Sequence, residues 1–375
     1  MAEVLTSNHL NQSFYFNISS FRLFSFVSVV VGGTILVQWY IRRPRARPPD
    51  CRCISCVTTC TEIATFDNAG FHHREGNKLH YESLGPSMPN MKVEKGTVIL
   101  LHGLLSAGRS WVPMAEALVD EGYSCYMPDL LGFGRSPWPR IEYNVESHCE
   151  YLVATVKEIT KQNKQPVHII GHSMGALLAY ELESSLRNKL TSDEKIIVRS
   201  ISLFSTPFYN EEGQACKSVG LTPKGLFVRF MINFPAASCL LCSVICQQRW
   251  FWVPVTNGFW GFLSFFGVHH DITVSHQIED FTLHSYHSCA GSFETINRHR
   301  MQCHDRVLPP VLLVHGAKDD IVPVERSRAF ETALKGASHY VELKELDQSD
   351  HALITHPAQI NETINILRDF LHRHS

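Results

Sequence analysis

Three residue types, met in one order along the chain, could carry chemistry: a serine at 173, a carboxylate at 319 or 320, and a histidine at 351. A serine hydroxyl is a weak nucleophile until a base takes its proton. An imidazole becomes that base when a carboxylate holds its tautomer. Ser173 sits in Gly171-His172-Ser173-Met174-Gly175, after the apolar, β-branched Val167, Ile169 and Ile170 and before the helix-favouring run Ala176 to Tyr180. Strand, G-x-S-x-G, helix describes a nucleophile elbow, a tight turn that lifts the hydroxyl to the top of a sheet. Side chains at Gly171 and Gly175 would collide with neighbouring backbone. The helix that follows aims N–H groups and its dipole at the reacting atom, which favours a developing oxyanion. The chemistry in view is attack on a carbonyl carbon.

The partners require an alternating α/β frame. Residues 62–72 and 77–84 read as two antiparallel strands, and Thr97 to Leu101 as a buried strand ending in His102-Gly103-Leu104-Leu105-Ser106. That turn faces the same sheet edge as the elbow. The backbone N–H of Leu104 there and that of Met174 after the nucleophile are the expected oxyanion donors. His102 reads as an imidazole bracing its loop. A helix over 109–121, a strand over 123–127, a helix over 146–164 and a strand over 196–205 follow. Asp129 to Ser136 is glycine-rich, but it lacks the third glycine of a dinucleotide fingerprint and reads as a structural loop. The sheet resumes with Pro310 to Gly316. Asp319 and Asp320 lie just past that strand end, where the imidazole-orienting acid belongs. His351 comes after a helix over 325–336 and a strand over 340–346, and a last helix covers 358–373.

These motifs resemble those of the α/β-hydrolase-fold serine hydrolases of the lipase and esterase group, over roughly residues 65–373. The resemblance implies a mostly parallel eight-stranded sheet with a helical cap inserted, preceded here by one N-terminal transmembrane helix. In that family the acid follows the strand-end glycine by three residues and precedes the Val-Pro proline by four; both counts select Asp319 over Asp320. The order serine, aspartate, histidine also matches. The chain departs from the pattern at Ala176, where a second glycine is frequent, and at Ala352-Leu353; neither change removes a reacting group. A serine at 173 is not the aspartate nucleophile of the family's dehalogenases and epoxide hydrolases.

From 207 to 306 the α/β rhythm stops. This insert is rich in Phe, Trp and Cys, and between Gly213 and His270 it holds Lys217, Lys224, Arg229 and Arg249 but no acidic residue. It reads as a helical cap over an apolar pocket, its basic and aromatic make-up suiting either an ordinary cap core or an anionic membrane surface. Histidines 269, 270, 276, 284, 287, 299 and 304 crowd its end, but no H-E-x-x-H appears and no metal is expected.

A formal net charge of −2 gives no global argument for nucleic acid, and no cofactor is expected. Residues 23–41 are 19 positions without a charge, enough to span a bilayer core, with Trp39 and Tyr40 at one end. Arg42, Arg43, Arg45 and Arg47 follow at once, which places the catalytic part on the cytosolic side of an endomembrane. A cleaved signal peptide would carry its charges before the apolar core, not after it. Residues 1–22 then form a luminal tail with sequons at Asn11 and Asn17. Residues 42–61 form a basic linker in which Cys51, Cys53, Cys56 and Cys60 suit palmitoylation or remain plain thiols. Residues 62–206 and 307–375 make the core. The 12 cysteines have the spacing of reduced thiols rather than of a disulfide scaffold.

The expected activity is hydrolysis of a carboxylic ester, with a lipid such as an acylglycerol as substrate, by Ser173, His351 and Asp319 through an acyl-enzyme. An acyltransferase on the same triad, for which His315 and Asp320 form a coincidental H-x-x-x-x-D, a small-molecule carboxylesterase and a non-catalytic scaffold are the competing readings.

Overall fold

The computed structural model describes residues 78–85, 95–162, 165–190, 196–211, 214–234, 255, 280, 283–303 and 308–375. In chain order the elements are β1 (Tyr81–Leu84), β2 (Gly96–Leu101), a 3₁₀ turn (Gly108–Trp111), α1 (Val112–Val119), β3 (Tyr123–Pro128), α2 (Val145–Gln162), β4 (Val167–His172), α3 (Met174–Lys189) and β5 (Val198–Phe204). Then come α4 (Gln214–Ser218), α5 (Pro223–Asn233), α6 (Tyr286–Arg298), β6 (Val311–Gly316), α7 (Glu325–Gly336), β7 (Val341–Leu346) and α8 (Pro357–His374). The transmembrane segment over 23–41, the Cys51–Cys60 linker and the strand over 62–72 lie outside the described residues. Among the described residues no helix is long and apolar enough to cross a membrane.

The sheet among the described residues has seven strands in the order β1-β3-β2-β4-β5-β6-β7. β1 pairs antiparallel with β3, and every other neighbour is parallel. The expected eighth strand is the one that falls on 62–72. Parallel strands need covered faces, and their sequences show it: β2 and β6 are buried at every position. On one face Val167, Ile169, Ile201 and Leu313 pack with Leu152, Leu178 and Phe330 of α2, α3 and α7. On the other, Leu100, Ile170, Phe204 and Leu312 pack with Met114 and Leu118 of α1 and with Ile364, Leu367 and Phe370 of α8. Each such side chain contributes roughly 1.5–3 kcal/mol by leaving water.

Two elements differ from expectation. The helix read over 109–121 opens as a 3₁₀ turn and becomes α-helical only at Val112, because Pro113 lacks an N–H and fits only the first helical turn. The strand read over 77–84 shortens to Tyr81–Leu84, since Tyr81 already faces Pro128 at the end of its partner.

Strand order decides where the site sits. From β2 the chain crosses to β3 on one side, and then returns to place β4 on the other. Ligands of open α/β sheets bind at such a reversal, beyond the carboxyl ends of the strands. The His102–Leu105 turn follows β2 and Ser173 follows β4, so the two flank it.

Candidate active site

Ser173 is the N-cap of α3, with φ 53° and ψ −119°. This is a left-handed conformation that a non-glycine residue adopts only under constraint. The constraint is visible. The Ser173 N–H donates to the Phe204 carbonyl at 2.8 Å, and the Ser173 carbonyl accepts from Ala176 at 2.9 Å. A Cβ on Gly171 would stand 2.1 Å from the Gly175 carbonyl oxygen, and one on Gly175 would stand 2.2 Å from that of Leu101. The elbow is therefore pressed against both β2 and its own helix, with no room for a side chain at either glycine. Met174 is buried at the first position of α3, where helix geometry leaves its N–H without an acceptor in the helix.

The turn after β2 lies alongside. A Cβ on Gly103 would be 3.4 Å from the Ser173 Cβ. Leu104 and Leu105 follow, the latter with φ 58°. Both leucines pack against Cys289 and Phe293 of α6, so this helix bears directly on the turn expected to donate to an oxyanion. His102 is fully buried. Its Nδ1–H donates to the Gly103 carbonyl at 2.7 Å, while its Nε2 accepts the Leu130 N–H at 2.8 Å. Both nitrogens are spent on backbone, and burial pulls the imidazole's pKa down, so His102 braces two loops as a neutral ring.

Asp319 lies three residues beyond the end of β6 and is buried. Its Oδ1 accepts the N–H groups of Ile321 at 3.0 Å and Val322 at 2.9 Å. Its Oδ2 accepts from His351 Nδ1 at 2.7 Å. Burial by itself would raise this carboxyl's pKa. The His351 charge and hydrogen bonds from His315 and His351 outweigh it and hold the group well below the usual carboxylate range. For His351 the signs reverse: burial alone lowers its pKa, but the charge of Asp319 and the hydrogen bond to it win, and the imidazole ends above its ordinary value. Asp320 takes a different task. Its Oδ2 accepts the Thr222 hydroxyl at 2.5 Å, and its carbonyl accepts the Gly220 N–H at 3.0 Å, which ties the start of α5 to the acid loop.

Two histidines that sequence reasoning did not assign stand at this centre. His315 Nε2 lies 2.6 Å from the Val322 carbonyl, which can only accept, so that nitrogen carries the proton; it is also 3.3 Å from Asp319 Oδ2. Its Nδ1 is 2.6 Å from the Ser327 hydroxyl. The imidazole of His172, next to the nucleophile, donates from Nε2 to the His351 carbonyl at 2.9 Å. The H-x-x-x-x-D spacing marks His315, but only as a coincidence of the acid turn. Nothing in the sequence marks the tie made by His172.

The glycine-rich loop is structural and also holds α6 and the residues before it. Asp129 Oδ1 accepts the Gly108 N–H at 2.7 Å, and Oδ2 accepts that of Arg135 at 2.8 Å. Burial would raise the Asp129 carboxyl's pKa, but contacts with His80 and the other donors bring it down to about 2. Gly134 has φ 53°, and a Cβ there would run into this carboxylate. From the same loop Gly132 accepts the Ser288 hydroxyl at 2.7 Å, and the Gly134 N–H donates to Leu283 at 2.8 Å. Among the described residues no group of histidine, cysteine or carboxylate side chains could hold a metal ion.

Known proteins share this fold. The alpha/beta hydrolase fold family matches residues 96–184, and the prolyl oligopeptidase family matches residues 273–375. The probable lysophospholipase BODYGUARD 3 of Arabidopsis thaliana is 22% identical over 298 residues, which cover 73% of this chain and 55% of that protein. The lipase LipV of Mycobacterium tuberculosis is 33% identical over 107 residues, covering 28% of this chain and 36% of that one. This chain thus spans little more than half the length of the first of these relatives. Among solved structures, an esterase from Exiguobacterium antarcticum superposes with a TM-score of 0.54 at 17% identity, over 78% of this chain and 95% of its own. The sheet and these matches agree: the chain has the α/β-hydrolase fold.

Proposed function

We propose that this protein is a serine ester hydrolase acting on lipid esters. The observation that carries the reading is the pair made by buried Asp319 and half-buried His351, joined at 2.7 Å and tied through His172 to the strained elbow that holds Ser173. In the reaction, Ser173 Oγ attacks the ester carbonyl as His351 Nε2 takes its proton. The Leu104 and Met174 N–H groups receive the oxyanion. His351 returns the proton to the leaving alcohol, and water then releases the acid from the acyl-enzyme by the same route. Asp319 fixes His351 with Nδ1–H toward the carboxylate and stabilises the imidazolium while it exists. An oxyanion donor of this kind lowers the barrier by roughly 2.7–4 kcal/mol.

Lipid is favoured over a small soluble ester by the cap. Leu221 is 73% exposed, and along α5 the exposed residues Leu226, Phe230 and Phe234 recur one turn apart in a stretch free of acidic residues. Relatives named lysophospholipase and lipase point the same way. The apolar segment 23–41, with arginines after it, supports a single-pass anchor holding the catalytic part at the cytosolic face. Acyl transfer to a lipid alcohol is the second reading, resting on the same triad.

Fluorophosphonate labelling together with an ester panel tests the proposal. The wild-type chain is expected to label and to hydrolyse lysophospholipid or monoacylglycerol faster than short-chain esters, and Ser173→Ala to do neither. A Ser173→Ala chain that still labels overturns the nucleophile assignment. Preference for short-chain esters overturns the lipid assignment, and ester formation in the presence of a lipid alcohol selects the second reading.

A further inference from the structure

His172 is adjacent to the nucleophile, yet it makes its hydrogen bond to a residue 179 positions away. Its Nε2–H donates to the backbone carbonyl of His351 at 2.9 Å, and because a carbonyl only accepts, this contact sets the tautomer. The two rings stand 4.8 Å apart at 51°. On another side, a Cβ on Gly103 would come within 3.1 Å of His172 Nδ1, so the turn after β2 closes against the same ring. One imidazole thus touches the loop of the base and the turn beside the nucleophile, and belongs to the elbow itself.

We propose that His172 is a positioning residue that sets the distance between Ser173 and His351 by holding the base loop through its backbone. This rests on the reading that Ser173 and His351 react together. Asp319 grips His351 at one ring nitrogen, which fixes the tautomer but leaves the ring free to ride with its loop. That loop follows β7 and has no strand of its own. The loop is also tied where the Ser349 carbonyl accepts the Lys318 N–H at 2.9 Å, and the hydrogen bond from His172 adds an attachment at His351 itself, one peptide unit from the ring it steadies. Because the donor is fused to the nucleophile's own turn, a shift of the elbow carries the base with it. Burial, with the neighbouring His351 adding to it, keeps the His172 ring uncharged, its pKa pushed down to about 3. It therefore places no positive charge against the imidazolium that forms on His351.

The test uses the full-length protein and compares His172→Phe, which keeps a ring but cannot donate, with His172→Gln, whose amide nitrogen reaches about as far as Nε2. Labelling of Ser173 by a fluorophosphonate and turnover of whichever ester the wild type hydrolyses are read together. His172→Phe is expected to lower the labelling rate and kcat by about 10- to 100-fold with KM within about threefold, and His172→Gln to restore most of the loss. Should His172→Phe not fold, His172→Leu takes its place beside His172→Gln. Labelling at the wild-type rate by the non-donating variant overturns the proposal. So does an equal loss in His172→Gln, which would assign the effect to packing. A wild-type chain that does not label at all overturns the hydrolase reading instead, so the two failures are distinguishable.

Discussion

Ser173, like Leu105 beside it, is a non-glycine residue at positive φ. A non-glycine residue at φ 53° is strained by roughly 1–2 kcal/mol. Glycine there would release the strain but add about 0.4–1 kcal/mol of chain entropy to the unfolded state. Relief wins. Ser173→Gly is expected to raise unfolding stability by roughly 0.5–1 kcal/mol in urea titrations while abolishing labelling; a less stable variant would show that the surrounding contacts, not the residue, set this conformation. The acid and base give a second prediction. His351 must be uncharged to act, and its value lies above the ordinary 6.5, so activity rises with pH through a midpoint above 6.5. Asp319→Asn removes the charge that raises it and leaves the burial that lowers it. The acid limb should move to lower pH as kcat falls by about 10⁴-fold. A limb that stays in place would assign the ionisation to another group. For stability the sign is opposite: the contribution of Asp319 is complete above its ordinary carboxyl value of 3.8 and is lost as pH falls through its lower folded value.

Helices and strands were legible in proportion to how local their cause is. The elbow is written in a dozen consecutive residues, and β4, Ser173 and α3 stand where the pattern puts them. The acid loop could be counted from the end of β6. The ties that cross the fold could not be read, because each joins residues whose sequence neighbourhoods are unrelated: His172 to the His351 carbonyl, Thr222 to Asp320, Ser288 to Gly132. Periodicity reports which face of an element is buried, never which loop it will meet. The Ser288 tie has a measurable weight. Its fully buried hydroxyl bonds the Gly132 carbonyl at 2.7 Å and also closes the capping box of α6 with Ser285. Ser288→Ala is expected to cost about 1–3 kcal/mol, with hydrogen exchange rising first at the amides of α6. Uniform acceleration across the sheet as well would mean that the cap and core open as one unit.

At the scale of the whole chain, the described core and the apolar segment near the start pose separate questions. The full-length protein is expected to stay with the membrane pellet in alkaline carbonate, and a chain lacking residues 1–61 to remain in the supernatant and still label at Ser173. Protease added outside sealed microsomes should digest the catalytic part, since the arginines follow the span. Protection of that part would reverse the orientation.

The strand order has a consequence in time as well as in space. A ribosome delivers β2 and β4 early, then the long insert, and only afterwards β6, the acid loop and His351. Domains begin to fold from the N-terminal end during synthesis. Yet the His351 loop meets the elbow across 178 positions of chain, through the hydrogen bond from His172 to the His351 carbonyl. The nascent protein therefore carries Ser173 for nearly half the length of the chain before His351 is made. In the proposed reaction that serine stays an ordinary alcohol until the His351 loop docks.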